Sequence, residues 1–371
     1  MNRLFKYASL LAAAVVLSAC GSNTGEGNEG VSDKAFYMTT DKDVIQSDGT
    51  DAATVRVFLD EEDVTDKAVI YNEKAEVVNL DGGLFTATKD GEYKFWAEYG
   101  TYSSFDKNQD DKGLLTISSI SVPVPEVVAD PQVSNTSFVH RAFLTQYTGI
   151  GCGYCPYMIK IVKELFADGT IPGKAVLAAV HSYPKGGDPA YISAPSVNNY
   201  PFMHFNLALG FDATSSGSAP LYALINECVA EDAAAGISVN PILYEDGTLV
   251  LRVSVKAAVE GTYRVGAWLL EDDIYGLQAD YTGLKDKSYD THENCVRAID
   301  SRYDGEWNGK RLGTIRAGKT AEKTFVMDVA KAWKVENLHV AVIVSEKVDD
   351  NYVVCNAVDV PINAPTPFEY K

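Results

Sequence analysis

The chain has 371 residues, 46% of them hydrophobic, which is enough for two or three domains with cores of their own. It carries 32 Lys and Arg against 51 Asp and Glu, a formal net charge of −19. That balance favours solubility and argues against nucleic acid and anionic lipid surfaces as partners.

Arg3 and Lys6 make a short positive start, residues 7–16 are apolar, and Leu17-Ser18-Ala19-Cys20 closes the run with small residues and a cysteine. This is the layout of an export signal, too short and wrongly flanked for a membrane span. A cysteine at the cleavage point predicts a lipoprotein signal peptide over residues 1–19, with the lipid on the Cys20 thiol. An ordinary signal with a chance cysteine is the alternative. Residues 21–32 hold four Gly, two Asn and two Glu without apolar periodicity, so residues 20–34 read as the lipidated cysteine and a flexible tether. No later stretch is apolar for long enough to span a bilayer. The expected partner is therefore a membrane, reached through acyl chains on Cys20, and the expected location is the cell envelope.

Residues 35–124 read as all-β. Val55, Val57 and Leu59 alternate with Thr54 and Arg56, and Tyr93, Phe95, Ala97 and Tyr99 alternate with Glu92, Lys94, Trp96 and Glu98. Asp-Gly turns at 48–49, 81–82 and 90–91 separate the runs, a spacing that suggests a β-sandwich. Pro123, Pro125 and Pro131 mark a stiff linker over residues 125–137. In residues 138–236 the pattern changes. Strands are expected over 138–146, 174–181 and 202–209. Helices are expected over 156–167, where Met158, Ile161, Val162, Leu165 and Phe166 share a face, and over 220–231. A β-α-β order implies a parallel or mixed sheet. Residues 237–371 return to β: Leu249, Leu251, Val253 and Val255 line one face of a strand, and runs at 263–271, 320–328, 338–347 and 351–360 complete an antiparallel domain.

Cys152-Gly153-Tyr154-Cys155-Pro156 follows the first expected strand of the 138–236 region and opens its first helix. The free N–H groups and positive dipole end of a helix start stabilise a thiolate. Cys152 is then the candidate exposed nucleophile and Cys155 the resolving thiol. Pro156 costs little in a first turn, where its N–H would have no helical partner. In an exported protein such a pair reads as a disulfide redox centre. Two alternatives stand beside it. One is a structural bridge that never cycles. The other is half of a metal site, which needs two more ligands where no second Cys-x-x-Cys or His-x-x-His exists. His140, His181, His204, His292 and His339 are scattered and read as strand or turn residues. A metal or haem acquisition role would need a clustered His, Met and Cys set that the sequence does not show. No cofactor and no metal is called for.

Tyr147-Thr148-Gly149 ahead of this motif resembles the outer membrane protein 28-type (Omp28-related) lipoproteins, which carry a thioredoxin-like domain. Further stretches support the likeness: Ala179-Val180-His181-Ser182-Tyr183-Pro184 with Gly187-Asp188-Pro189, Leu269-Leu270-Glu271-Asp272-Asp273-Ile274 with Gln278, and His292-Glu293-Asn294-Cys295-Val296-Arg297. Asp48 to Thr65 with Gly91-Glu92-Tyr93 is similar to bacterial immunoglobulin-like modules, which usually act as spacers or adhesive stalks. The resemblance implies a multidomain chain at the outer membrane. An immunoglobulin-like β-sandwich would be followed by an α/β thioredoxin-like domain and a C-terminal antiparallel β-sandwich domain. Thioredoxin-like folds set a cis-proline against the dithiol. Pro201, just before an expected strand, is the candidate, while Pro220 suits a helix N-terminus better. Many members carry Trp immediately before the first cysteine, where this chain has Gly151.

Beyond Cys20 and the dithiol, three cysteines remain. Cys295 and Cys355 share the C-terminal region and are a candidate structural disulfide. Cys228 falls in an apolar helical stripe with Leu224 and Ile225 and reads as buried and inert. The expected activity is thiol–disulfide exchange on exported proteins, with thiols or disulfides as partners and Cys152, Cys155 and Pro201 as site residues. The alternative is a cell-surface binding or adhesion lipoprotein, with a surface ligand as partner and the Cys152–Cys155 bridge as a staple.

Overall fold

The computed structural model describes residues 35–105, 114–167, 171, 173–184, 186–194, 197–211, 217–299, 307 and 309–371. The expected signal peptide, Cys20 and its tether lie outside the described residues. The described chain forms two compact units, 35–124 and 125–371. Among the described residues no helix is long and apolar enough to cross a membrane.

The first unit has nine strands: β1 (Phe36–Thr40), β2 (Val44–Gln46), β3 (Ala53–Leu59), β4 (Glu62–Asp63), β5 (Val69–Asn72), β6 (Leu84–Phe85), β7 (Gly91–Tyr99), β8 (Tyr102–Ser103) and β9 (Leu115–Ile120). One sheet runs β1-β3-β4 with β6 beside β3, and the other runs β2-β9-β7-β5 with β8 beside β7. The alternation explains how they pack. Val55, Val57 and Leu59 of β3 and Phe95 and Ala97 of β7 meet Ile117 of β9 in one core. Gly83, at φ +79°, makes the turn into β6, where a Cβ would stand 2.4 Å from the Val55 carbonyl oxygen.

The second unit contains β10 (Ala142–Thr148), α1 (Pro156–Ala167), β11 (Ala175–His181), β12 (Phe202–Phe205), β13 (Leu209–Phe211), α2 (Ala219–Ala230), β14 (Ala235–Leu243), β15 (Thr248–Ala257) and β16 (Gly261–Glu271). It continues with β17 (Ile274–Tyr275), β18 (Thr291–His292), β19 (Cys295–Ile299), β20 (Lys310–Ile315), β21 (Thr320–Asp328), β22 (Leu338–Val348) and β23 (Asn351–Pro361). A nine-stranded mixed sheet runs β13-β12-β10-β11-β19-β16-β22-β23, with β20 beside β16. β14-β15-β21 and β17-β18 form two smaller sheets.

The β-α-β order is present: β10 and β11 pair in parallel over seven residues, and α1 connects them. Met158, Ile161 and Leu165 of α1 and Leu221, Leu224 and Ile225 of α2 cover one face of β10, β11 and β12. Among the described residues no helix covers the other face. There Phe143, Tyr147, Val176, Ala178 and Val180 pack against Trp268, Leu270, Ala341, Ile343 and Ala357 of the C-terminal strands. The opposite faces of those strands, with Val265, Ala267, Leu269, Val340 and Val342, close on Leu249, Leu251, Val253 and Val255 of β15. Regions 138–236 and 237–371 are therefore one layered body with a continuous sheet. The bare face of β10 and β11 has to be buried, and the C-terminal strands bury it.

Two local expectations change. The single strand over 202–209 is a hairpin, because Asn206 and Leu207 take positive φ of 53° and 54° and reverse the chain between β12 and β13. The proline-rich stretch 125–137 is held down along its length. Asn240 donates to the Glu126 carbonyl, and the buried Lys256 ammonium donates to Asp130 Oδ2 (2.8 Å), the Gln132 carbonyl (3.1 Å) and the Tyr370 hydroxyl (3.2 Å). Removing one partner of a buried ion pair leaves a charge without compensation. Asp130→Ala is expected to lower stability by about 2 kcal/mol, less than for a sealed pair because Asp130 keeps some contact with water. Urea denaturation should show a lower midpoint with an unchanged slope, and Lys256→Met combined with Asp130→Ala should recover part of the loss.

Candidate functional site

All seven residues of β10 are buried, and the chain leaves the sheet at Thr148 into the turn that carries the cysteines. Gly149 permits the exit: a Cβ there would lie 2.7 Å from Cβ of Tyr183. Cys152 N–H donates to the Gly149 carbonyl (3.0 Å), and Cys155 N–H donates to the Cys152 carbonyl (3.2 Å). Met158 and Ile159 then donate to the Cys155 carbonyl as α1 begins. Pro156 takes the first helical position. Cys152 and Cys155 are joined by a disulfide with Cα atoms 5.4 Å apart. Tyr200–Pro201 is a cis peptide, and Pro201 immediately precedes β12. Phe202, the first residue of β12, pairs with Tyr147 near the end of β10, so Pro201 and the dithiol turn lie at the same end of the sheet. The Tyr200 hydroxyl and Ser182 Oγ are 2.9 Å apart beside them.

One expectation about the dithiol is overturned. Cys152 is not exposed: it is 2% accessible and Cys155 is 0%. A strap from the C-terminal strands, residues 276–283, crosses the turn. Ala279 N–H donates to the Ile150 carbonyl (2.7 Å), and Tyr281 N–H donates to the Gly153 carbonyl (2.7 Å). The Gln278 side-chain amide donates to the Cys152 carbonyl (2.9 Å), with the Gly149 and Ile150 carbonyls at 3.4 and 3.3 Å. The Tyr281 ring lies over Gly153, where a Cβ would be 2.2 Å from a ring carbon, and meets Tyr154 edge-on at 5.9 Å.

Beneath the turn lies a buried polar cluster that single-residue reading missed. Asp188 accepts the N–H groups of Ile150 (2.9 Å) and Ala190 (2.9 Å), and His181 Nδ1–H donates to it at 2.9 Å. The other ring nitrogen of His181 faces Cys295 Sγ at 3.5 Å. His292 packs edge-on against the His181 ring at 4.9 Å and donates through Nε2 to the Gly276 carbonyl (3.0 Å) at the start of the strap. Burial opposes the charge on Asp188, but the hydrogen bond and charge of His181 and the two amides outweigh it and hold its carboxyl at about 2. Burial, then the neighbouring His181, lowers His292 to about 4. Burial raises the Cys295 thiol well above its ordinary range, so it stays an S–H. The sequence signal for this cluster was the set of family-like stretches themselves. His181, Asp188, Gln278, His292 and Cys295 all come from them and converge here.

The candidate bridge between Cys295 and Cys355 does not form: neither cysteine is in a disulfide. Cys295 on β19 faces His181, whereas Cys355 on β23 packs against the core shared with β15, so the two side chains serve different layers. Cys228 is buried in α2 as expected, though with polar neighbours, His140 Nε2 at 3.5 Å and Asn206 Nδ2 at 3.7 Å. Among the described residues no group of three or more His, Cys, Asp or Glu side chains is arranged to hold a metal ion.

No family model matches the chain, and no curated protein matches it. Among solved structures it is similar to HBP35 of Porphyromonas gingivalis, at 16% identity over 63% of this chain and 78% of that one, with a TM-score of 0.48. It is also similar to a protein of Agrobacterium tumefaciens, at 12% identity over 63% and 99% of the two chains and a TM-score of 0.40. A domain of the outer membrane lipoprotein Omp28 from Porphyromonas gingivalis matches at 17% identity over 36% and 90%, with a TM-score of 0.24. These are partial likenesses, and they assign no site or activity to this chain.

Two histidines should shape the pH dependence of stability. His292, at about 4 in the fold against 6.5 free, takes up its proton first in the unfolded chain. Its contribution is complete above pH 6.5 and is lost as pH falls toward 4, about 3 kcal/mol in all. His339 is the reverse. Burial opposes its charge, but Asp272 and Asp359 raise it to about 9, so its contribution is complete below pH 6.5 and is lost as pH rises through 9. Urea unfolding from pH 4 to 9 should peak near neutrality. His292→Gln is expected to flatten the acid limb and His339→Gln the alkaline one.

Proposed function

We propose that the chain is an envelope lipoprotein, anchored through Cys20 at the outer membrane, whose Cys152–Cys155 pair exchanges disulfides with exported proteins from a thioredoxin-like domain. The observation that carries this reading is the placement of the bridge. It sits between the end of a buried strand and the first turn of α1, with Pro201 at the same sheet end. The parallel β10-α1-β11 unit and the antiparallel β12-β13 hairpin, with helices on one face, support the thioredoxin-like assignment. In the reduced protein the α1 N-terminus would favour a Cys152 thiolate. That thiolate attacks one sulfur of a substrate disulfide and expels the other as a thiolate. Cys155 then attacks Cys152 Sγ, releases the substrate dithiol and re-forms the bridge. The two electrons are restored by an external dithiol. The two-sheet unit 35–124 fits an immunoglobulin-like spacer between the lipid and this body.

A second reading keeps the bridge as a staple in a surface binding or adhesion protein. The near-complete burial of both cysteines favours it. The equilibrium redox state of the pair across a glutathione series, in the soluble body lacking residues before Ser22, separates the two. A working dithiol is expected to titrate well above about −300 mV, with an acid-shifted Cys152 thiolate. A bridge that stays oxidised throughout the series sinks the exchange reading and leaves the staple.

A further inference from the structure

Residues 276–283 cross the dithiol turn as a short peptide segment that donates backbone N–H groups to the turn's carbonyls. The donors Ala279 N–H and Tyr281 N–H are two residues apart, and they meet the carbonyls of Ile150 and Gly153, which the turn leaves without partners inside its own fold. The Gln278 amide adds a side-chain donor to the Cys152 carbonyl, and the space left by Gly153 is filled by the Tyr281 ring. The outer side of the strap is open: Leu277 is 69% exposed, and Tyr281 is 67% exposed although one side of its ring lies over Gly153. Its root is fixed, with the Gly276 and Gln278 N–H groups donating to Asp290 (2.9 Å each), but residues 279–283 are held to the turn by two backbone hydrogen bonds and one ring, the kind of segment that opens locally.

We infer that the backbone edge 149–153 is a peptide-docking edge and that residues 276–283 are its resident occupant. A substrate enters as an extended polypeptide segment, displaces the strap, donates its own N–H groups to Ile150 and Gly153, and lays an aromatic side chain over Gly153. This rests on the exchange reading above and names its substrate class as unfolded or extended exported polypeptides. The strap keeps Cys152 covered until such a segment arrives.

The test is the rate of reduction of the Cys152–Cys155 bridge in the full chain by dithiothreitol, followed by quenched alkylation and mass. One reductant thiolate attacks a bridge sulfur and expels the other. The second reductant thiol then closes its own ring, so the reductant loses two electrons and the bridge gains them. Gln278→Ala and Tyr281→Ala are each expected to speed reduction about tenfold, the effect of losing one or two such contacts. A synthetic Gly-Leu-Gln-Ala-Asp-Tyr-Thr-Gly peptide should slow the variants again, while the same peptide with Ala for Tyr should not. Unchanged rates in folded variants would overturn the inference. The wild-type protein gives an independent reading should a variant fail to fold. Its reduction rate should level off, with rising reductant, at the opening rate of the Ala279 and Tyr281 amides measured by hydrogen exchange. A rate that climbs past that limit overturns the inference too. A very low redox potential with strap-limited kinetics would remove the exchange reading and leave the docking edge. A labile potential with strap-independent kinetics would do the opposite.

Discussion

Between β11 and β19 the great sheet is joined by one parallel register pair, Ala179 with Cys295, backed by the Ala179 N–H donated to the Asn294 carbonyl at 2.8 Å. This narrow seam lets the C-terminal strands continue the β10–β11 sheet and then turn back over its uncovered face. It also carries the polar cluster. Once β19 lies beside β11, Cys295 faces His181, and the segment leading into β19 brings His292 onto the same ring. His181 and Asp188 are both sealed from water. Desolvating that pair is costly, and the cost is offset only when every lone pair and proton has a partner. Asp188 meets the condition by accepting from His181, Ile150 and Ala190 together, and so the loop bearing the cysteines is fixed by the same carboxylate that holds His181.

The parts of the fold legible in the sequence are those with one wet face. In β3 the inward residues Ala53, Val55, Val57 and Leu59 alternate with half-buried ones such as Thr54 and Arg56, so the period of two is written in the residue types. In α1 the stripe of Met158, Ile161 and Leu165 is equally plain, because its other face meets solvent. Periodicity fails where both faces are buried. The run Ala267-Trp268-Leu269-Leu270 of β16 sends Ala267 and Leu269 into one core and Trp268 and Leu270 into another. A continuous apolar run announces a buried strand but not its neighbours. That is why residues 138–236 and 237–371 read as separate bodies although they share a sheet.

The site divides in the same way. Cys152, Cys155 and Pro201 are visible because a dithiol at a helix start and a proline before a strand are local patterns. Gln278, Asp188 and His292 act across 126, 38 and 16 residues of chain respectively. No local rule ties Gln278 to the Cys152 carbonyl. Such residues emerge only when several polar stretches, each unremarkable alone, are required to share one buried place. The cysteine pairing fails for a related reason: membership of the same region says nothing about which layer a side chain faces.

Covering and reactivity pull in opposite directions at this turn. A helix start lowers the energy of a thiolate, but a thiolate at a site as closed as that of Cys152 loses the water that would also stabilise it. Peptide donors resolve the conflict only if they come from something that leaves when the chemistry is due. The strap suits such a role: it holds the turn through two backbone donors, the Gln278 amide and one ring over a glycine, while Leu277 faces outward. The polar cluster supplies the fixed half of the arrangement. Asp188 holds Ile150 from below, while His292 holds Gly276 at the root of the strap, so the turn and the base of its cover are fixed by one cluster.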